Sequence, residues 1–197
     1  MVLDHLGHRI VFAADSEIPQ WREIYNRRQY KKLTCDVLAV PHHGGLVNAG
    51  GVDLDWLYDK ALSAEFAVLS VGTRKNPKHP REEVVARLLT SGATLLCTQL
   101  TSKCHDTPSM LHPSVLRPLL PFGRSADNAV KNRRVCIGCA GTVVAAIDAT
   151  GCRIERLREH QSAVDTLAAT SAGHPLCRPL PQTTAPFDAE SAQETTS

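Results

Sequence analysis

An excess of charge of one sign is almost missing from this chain. Across 197 residues, 22 lysines and arginines face 20 aspartates and glutamates, a net charge of only +2. No global field therefore argues for nucleic acid as a partner. The local basic clusters, Arg27-Arg28, Lys31-Lys32 and Lys131 to Arg134, read as solvated faces. Long hydrophobic runs are missing as well. None approaches the roughly 20 residues that a membrane-spanning helix needs, and the first residues carry no signal-peptide core. The expectation is a cytoplasmic chain that makes no membrane contact. Internal repeats are absent too. Cysteine is not scarce: there are seven. In a cytoplasmic chain these read as metal ligands or buried thiols rather than disulfides. Hydrophobic residues at 43% and charged residues at 21% describe a globular chain long enough for one domain and its core.

The stretch Asp36-Val-Leu-Ala-Val-Pro-His42-His43-Gly44-Gly45 is the focal point. Val37 to Val40 is an apolar run that predicts a buried strand. Pro41 lacks the amide a sheet ladder needs, so pairing should stop there. Two histidines follow, then two glycines that allow a tight turn and a close approach to a ligand. Neutral imidazole is a common transition-metal ligand, so a histidine pair at a strand's mouth is a candidate metal or phosphate site. The alternative is a polar loop with two exposed histidines.

Upstream, Leu6 to Arg9 predicts a hairpin turn between short strands. Ile10 to Ala14 predicts a buried strand ending at Asp15. Ser16 can cap a helix over 17–31, with Pro19 in its first turn and Ile18, Trp21, Ile24 and Tyr25 at helical spacing. Strand, helix, strand makes a parallel crossover, so Asp15 and His42-His43 should share one sheet edge. Downstream come a short helix over 54–63 with Trp56 and Leu57 inward, and a strand from Phe66 to Val71. A polar loop then carries Lys75 and His79. A helix over 81–91, opened by Pro80 and closed by Gly92, follows, with Val84, Val85, Leu88 and Leu89 inward, then a strand from Ala93 to Thr98. Four prolines and little periodicity over 105–133 suggest an irregular insertion. Val135 to Asp148 and Arg153 to Leu157 predict a hairpin through Ala149-Thr150-Gly151. From about Ala172 the composition predicts disorder.

Four motifs in order, Phe12-Ala-Ala-Asp15, Val40-Pro-His-His-Gly44, Ser70-Val-Gly72 with His79-Pro80, and Gly92-Ala93, resemble the C-terminal half of metallo-β-lactamase-fold hydrolases. The branch is that related to the C-terminal domain of competence DNA-uptake proteins. Ala14 stands where that pattern has glycine, and Gly45 where it has serine. The resemblance covers residues 1–100 and implies an α/β chain forming part of an αββα fold, with a C-terminal hairpin extension. It implies a dinuclear Zn or Mn centre that activates water, usually against phosphodiesters. In it Asp15 is the bridging carboxylate and His43 a ligand of the second metal. His42 holds substrate phosphate or shares the metal, and His79 and Lys75 face the substrate.

The family's first metal motif, His-x-His-x-Asp-His, is absent from these residues, and His5 and His8 do not match it. The expectation is a chain inactive alone. It is then part of a longer or decayed protein, or a subunit completed by a separate N-terminal half or a second copy. A second constellation is Cys97…Cys104 with Cys136-Ile-Gly-Cys139. Its spacing suggests a structural zinc site through Cys97, Cys104, Cys136 and Cys139, tying down the insertion within 101–170. Cys35, Cys152 and Cys177 are expected to stay unliganded. That site underlies the alternative function, a non-catalytic binding or scaffold module. Residues 171–197 are expected to form a disordered tail.

Overall fold

Apolar rows set the sheet. Val11, Leu38, Ala67 and Leu95 lie abreast in neighbouring strands and are all buried. One residue out of phase, Ile10, Val37 and Phe66 form a second row on the opposite face, joined by Val68 and Leu96. A strand apolar at successive positions needs cover on both faces, as a parallel sheet does. The computed structural model supplies it. It describes residues 1–27, 33–47, 51–72, 79–101, 103–104, 117, 119, 138–170 and 175–178.

The strands are β1 (Val2–His5), β2 (His8–Phe12), β3 (Leu33–Ala39), β4 (Leu62–Leu69) and β5 (Thr94–Cys97). They lie side by side in that order, β1 antiparallel to β2 and all other neighbours parallel. Helix α1 (Ile18–Asn26) connects β2 to β3. Helix α2 (Gly51–Asp55) runs on as a π-helical stretch, Trp56–Ala61, into β4, and α3 (Glu82–Thr90) connects β4 to β5. Ile18, Trp21, Leu57, Tyr58, Val84, Val85 and Leu88 pack with the first row in the larger core. The fold is thus mixed α/β around a mostly parallel sheet.

A hairpin of β6 (Ala145–Asp148) and β7 (Gly151–Ile154) joins the second core, through Ile154, Ala145 and Cys152. A further helix, α4 (Leu157–Thr170), sends Ala163, Val164 and Leu167 into the larger core.

Several expectations shift. Helix α1 is capped at Glu17, not Ser16. The Glu17 amide donates to Gln20 Oε1 at 3.0 Å, while Ser16 Oγ donates back to the Ala13 carbonyl at 2.6 Å. Its described turns end at Asn26, five residues short of 31, because Arg27 is already extended. Trp56 is only partly buried, with the Arg22 guanidinium 4.6 Å above its ring and Tyr25 edge-on at 5.4 Å. The hairpin's first strand begins at Ala145 rather than Val135, since the chain from Gly138 to Gly141 bonds instead to the end of β5. Leu157 begins α4 instead of ending a strand. Within the stretch expected to be disordered, residues 175–178 dock on the core. Leu176 packs there, Cys177 is buried, and Arg178 Nε donates to Asp165 at 2.6 Å.

Candidate functional site

Two loops leave neighbouring parallel strands at the same edge. After β2, Ala13 still donates to the Ala39 carbonyl at 3.3 Å, and Ala14 then turns left-handed at φ 49°. After β3, Val40 donates to the Val68 carbonyl, and Pro41 ends the pairing. His42, His43 and Gly44 follow at φ 48°, 57° and 84°. Left-handed backbone is costly for residues with a side chain, so two consecutive histidines there are held by their surroundings. The holding contacts are visible. The His42 amide donates to the Ala14 carbonyl at 2.9 Å, and the Gly45 amide donates to the His42 carbonyl at 2.9 Å. The Arg81 amide donates to the Gly44 carbonyl at 2.9 Å, tying the start of α3 to the same loop.

The first glycine is required by this geometry. A Cβ on Gly44 would stand 2.8 Å from Leu69 Cδ2 and 2.9 Å from Pro80 Cβ. At Gly45 a Cβ would meet His79 Cε1 at 2.9 Å, so the His79 ring lies directly on the loop. Burial pushes the His79 pKa down, and the neighbouring His43, His42 and Arg81 charges push it the same way. Three histidines therefore meet at one edge of the sheet. Two buried ring nitrogens, His42 Nε2 and His79 Nδ1, have no hydrogen-bond partner. Glu17 Oε1 is 4.0 Å from His42 Nε2, too far for a hydrogen bond. Buried polar atoms without a protein partner are open to bonding by a ligand or water.

The residues expected at the site divide as follows. His42, His43 and His79 come together. Asp15 follows Ala14 in an exposed turn after β2, and His43 is exposed in the loop after β3. Lys75 lies outside the described residues. Among the described residues, no three His, Cys, Asp or Glu side chains stand close enough to hold a metal ion. The groups present therefore do not fit a metal pair. Three of the four expected zinc ligands, Cys97, Cys104 and Cys139, are buried in one core, while Cys136 lies outside the described residues. Cys177, expected to be apart, belongs to the same core, and His160 Nε2 lies 3.4 Å from Cys139 Sγ. Sequence reasoning missed both. The signal for His160 was available, since His160, Ala163, Val164 and Leu167 fall at helical spacing.

No known family description, curated protein or solved structure matches this chain.

Proposed function

We propose that this chain carries the substrate-side edge of a metal-dependent hydrolase of the metallo-β-lactamase type, acting on phosphodiesters such as nucleic acid. The observation that supports this reading is the meeting of His42, His43 and His79 at the C-terminal edge of parallel strands, with two of their buried ring nitrogens unpartnered. An edge of this kind is where open α/β sheets bind ligands. Imidazole N–H groups from His42 and His79 would donate to phosphate oxygens, and Asp15 and His43 stand ready on the same edge. Water activation needs ligands from outside these residues, either a separate N-terminal half or a second copy. The free, mostly buried thiols suit the reducing cytoplasm.

Titration of the ¹⁵N-histidine-labelled chain with dimethyl phosphate, followed by Mn²⁺, tests the reading. Ring signals of His42 and His79 should shift with the diester, and His42, His43 and His79 should broaden first with Mn²⁺. His5 and His160 serve as references. If the three edge histidines respond no more than the references, the reading fails and a non-catalytic binding module takes its place.

A further inference from the structure

We propose that the open edge of β1 pairs with β1 of a second copy, antiparallel and centred on Leu3, joining two five-stranded sheets into one. The phase of the first hairpin carries the argument. The Met1 amine donates to the Phe12 carbonyl at 2.9 Å, and the Phe12 amide donates back to the Met1 carbonyl at 2.9 Å. Such mutual pairs recur at every second residue of an antiparallel ladder, so Leu3 with Ile10 and His5 with His8 repeat the pattern. Leu6 and Gly7, at φ 50° and 84°, close the hairpin beyond them. The amides and carbonyls of Val2 and Asp4 therefore point away from β2, along the outer edge of the sheet.

No other described segment pairs with that edge. The opposite edge is different. There the Ala140 amide donates to the Cys97 carbonyl at the end of β5 at 2.7 Å, and Gln99 bridges to Gly138. Folded proteins guard open edges with lysine, proline or a bulge. Strand β1 has none of these, and its register to β2 runs unbroken from Val2 to His5. Its apolar side chains stand in water instead, Val2 40% and Leu3 47% exposed.

Hydrogen bonding and charge together select a second copy of β1 in one register. With Leu3 opposite Leu3 on the two-fold axis, Val2 of each copy faces Asp4 of the other. All four outward groups of each strand are then bonded. A shift that sets Asp4 opposite Asp4 forfeits half of these bonds within the strands and apposes like charges. In the favoured register each Asp4 faces valine and keeps its own Arg9, whose Nε donates to it at 2.6 Å. The apolar row Phe66, Val37, Ile10, Leu3 then continues through the axis into the same row of the second copy.

This pairing is independent of the hydrolase reading. Strands β2 to β5 of one copy run opposite to those of the other, so the two histidine edges face opposite ways. A second copy joined through β1 does not complete the histidine site of the first. Two four-residue strands also make a small contact beside the roughly 1,200 Å² of a standard interface, so the dimer is weak and reversible.

Sedimentation equilibrium of the full chain from about 10 μM to about 1 mM, the range of a weak interface, tests the pairing. The average mass should rise from one chain toward two. Val2→Pro removes an outward amide that β2 does not use, and Leu3→Lys sets two ammonium groups face to face. Each should weaken association about tenfold or more, with unchanged circular dichroism. Leu3→Cys should form an interchain disulfide on air oxidation, because a non-hydrogen-bonded antiparallel pair stands about 4.5 Å apart at Cα. His5→Cys, opposite Met1, should not. If the first two variants fail to fold, the unaltered chain and Leu3→Cys decide. A single chain at every concentration overturns the proposal. So does association that survives both variants, or association without the Leu3→Cys disulfide, since either places the contact elsewhere.

Discussion

At the scale of single residues, the loop that carries the histidines is the most constrained backbone at this edge. Gly44 and Gly92 make a controlled comparison, because both are left-handed but only Gly44 has close neighbours for an added Cβ. Gly92→Ala should cost about 1 kcal/mol, the left-handed penalty alone. Gly44→Ala should cost about 3 kcal/mol, since overpacking against Leu69 and Pro80 adds to it. Urea denaturation with unchanged m-values reads both. Ala14 is the reverse case. It sits at φ 49° where the resembling pattern has glycine. Relief of strain worth about 1–2 kcal/mol outweighs the glycine entropy cost of about 0.5–1 kcal/mol, so Ala14→Gly should be stabilising or neutral. A clear loss in Ala14→Gly would show that the strain there is not real.

Asp36, midway along β3, sets a pH dependence. Its Oδ1 lies 2.8 Å from His8 Nδ1, and its Oδ2 accepts from the Arg9 amide at 2.7 Å. Burial alone would raise this carboxyl. The Arg9 amide bond, the His8 bond and the His8 charge outweigh it and hold the pKa below the ordinary 3.8. A carboxyl depressed in the folded state contributes stability that is fully present above its unfolded value. That contribution is lost as pH falls through the lower folded value. Unfolding at pH 6 and pH 3 should therefore show a smaller acid loss in Asp36→Asn than in the unaltered chain. An equal loss would remove Asp36 from the account.

At the scale of elements, legibility followed apolar pattern. The β3 run, the α3 spacing and the succession of strands along the chain up to β5 could be read because apolar residues recur at strand or helix periods with turn residues between them. Helix α4 was not read, although His160, Ala163, Val164 and Leu167 stand at helical spacing. It follows the hairpin directly, with no proline or glycine to announce it, and only two of those four inward residues are large and apolar. Its weight is nonetheless that of a core element, since Leu167 and Val164 are 0% and 1% exposed. Leu167→Ala should cost about 2–5 kcal/mol, as much as Leu88→Ala in the well-predicted α3. Chemical denaturation of both variants compares them. A cost below 1 kcal/mol at Leu167 would mean that α4 is only loosely attached. The shared edge of Asp15 and His42-His43 was legible for a related reason, because parallel crossovers force it. The thiol that joins the cysteine core from position 177 was not, since no spacing rule links residues 80 positions apart (97 and 177).

At the scale of the whole molecule, the described residues supply a histidine edge without a metal pair. Phosphodiester hydrolysis at useful rates needs an activated water, a clamped phosphate and a stabilised leaving oxygen, and two-metal sites provide all three together. Here the His-x-His-x-Asp-His ligands are absent from the sequence, and Asp15 and His43 are exposed. With Mn²⁺ or Zn²⁺ added, this chain should hydrolyse bis(p-nitrophenyl) phosphate at the background rate of the metal alone, at every protein concentration tried. On the proposed hydrolase reading, adding a separate polypeptide that carries His-x-His-x-Asp-His on a complementary half-fold should raise the rate, and Asp15→Ala should abolish that gain. The informative contrary result is metal-dependent turnover by this chain alone that disappears in Asp15→Ala. A rate rising with the square of chain concentration would then trace the missing ligands to a second copy. A rate linear in concentration would trace them to residues within one chain.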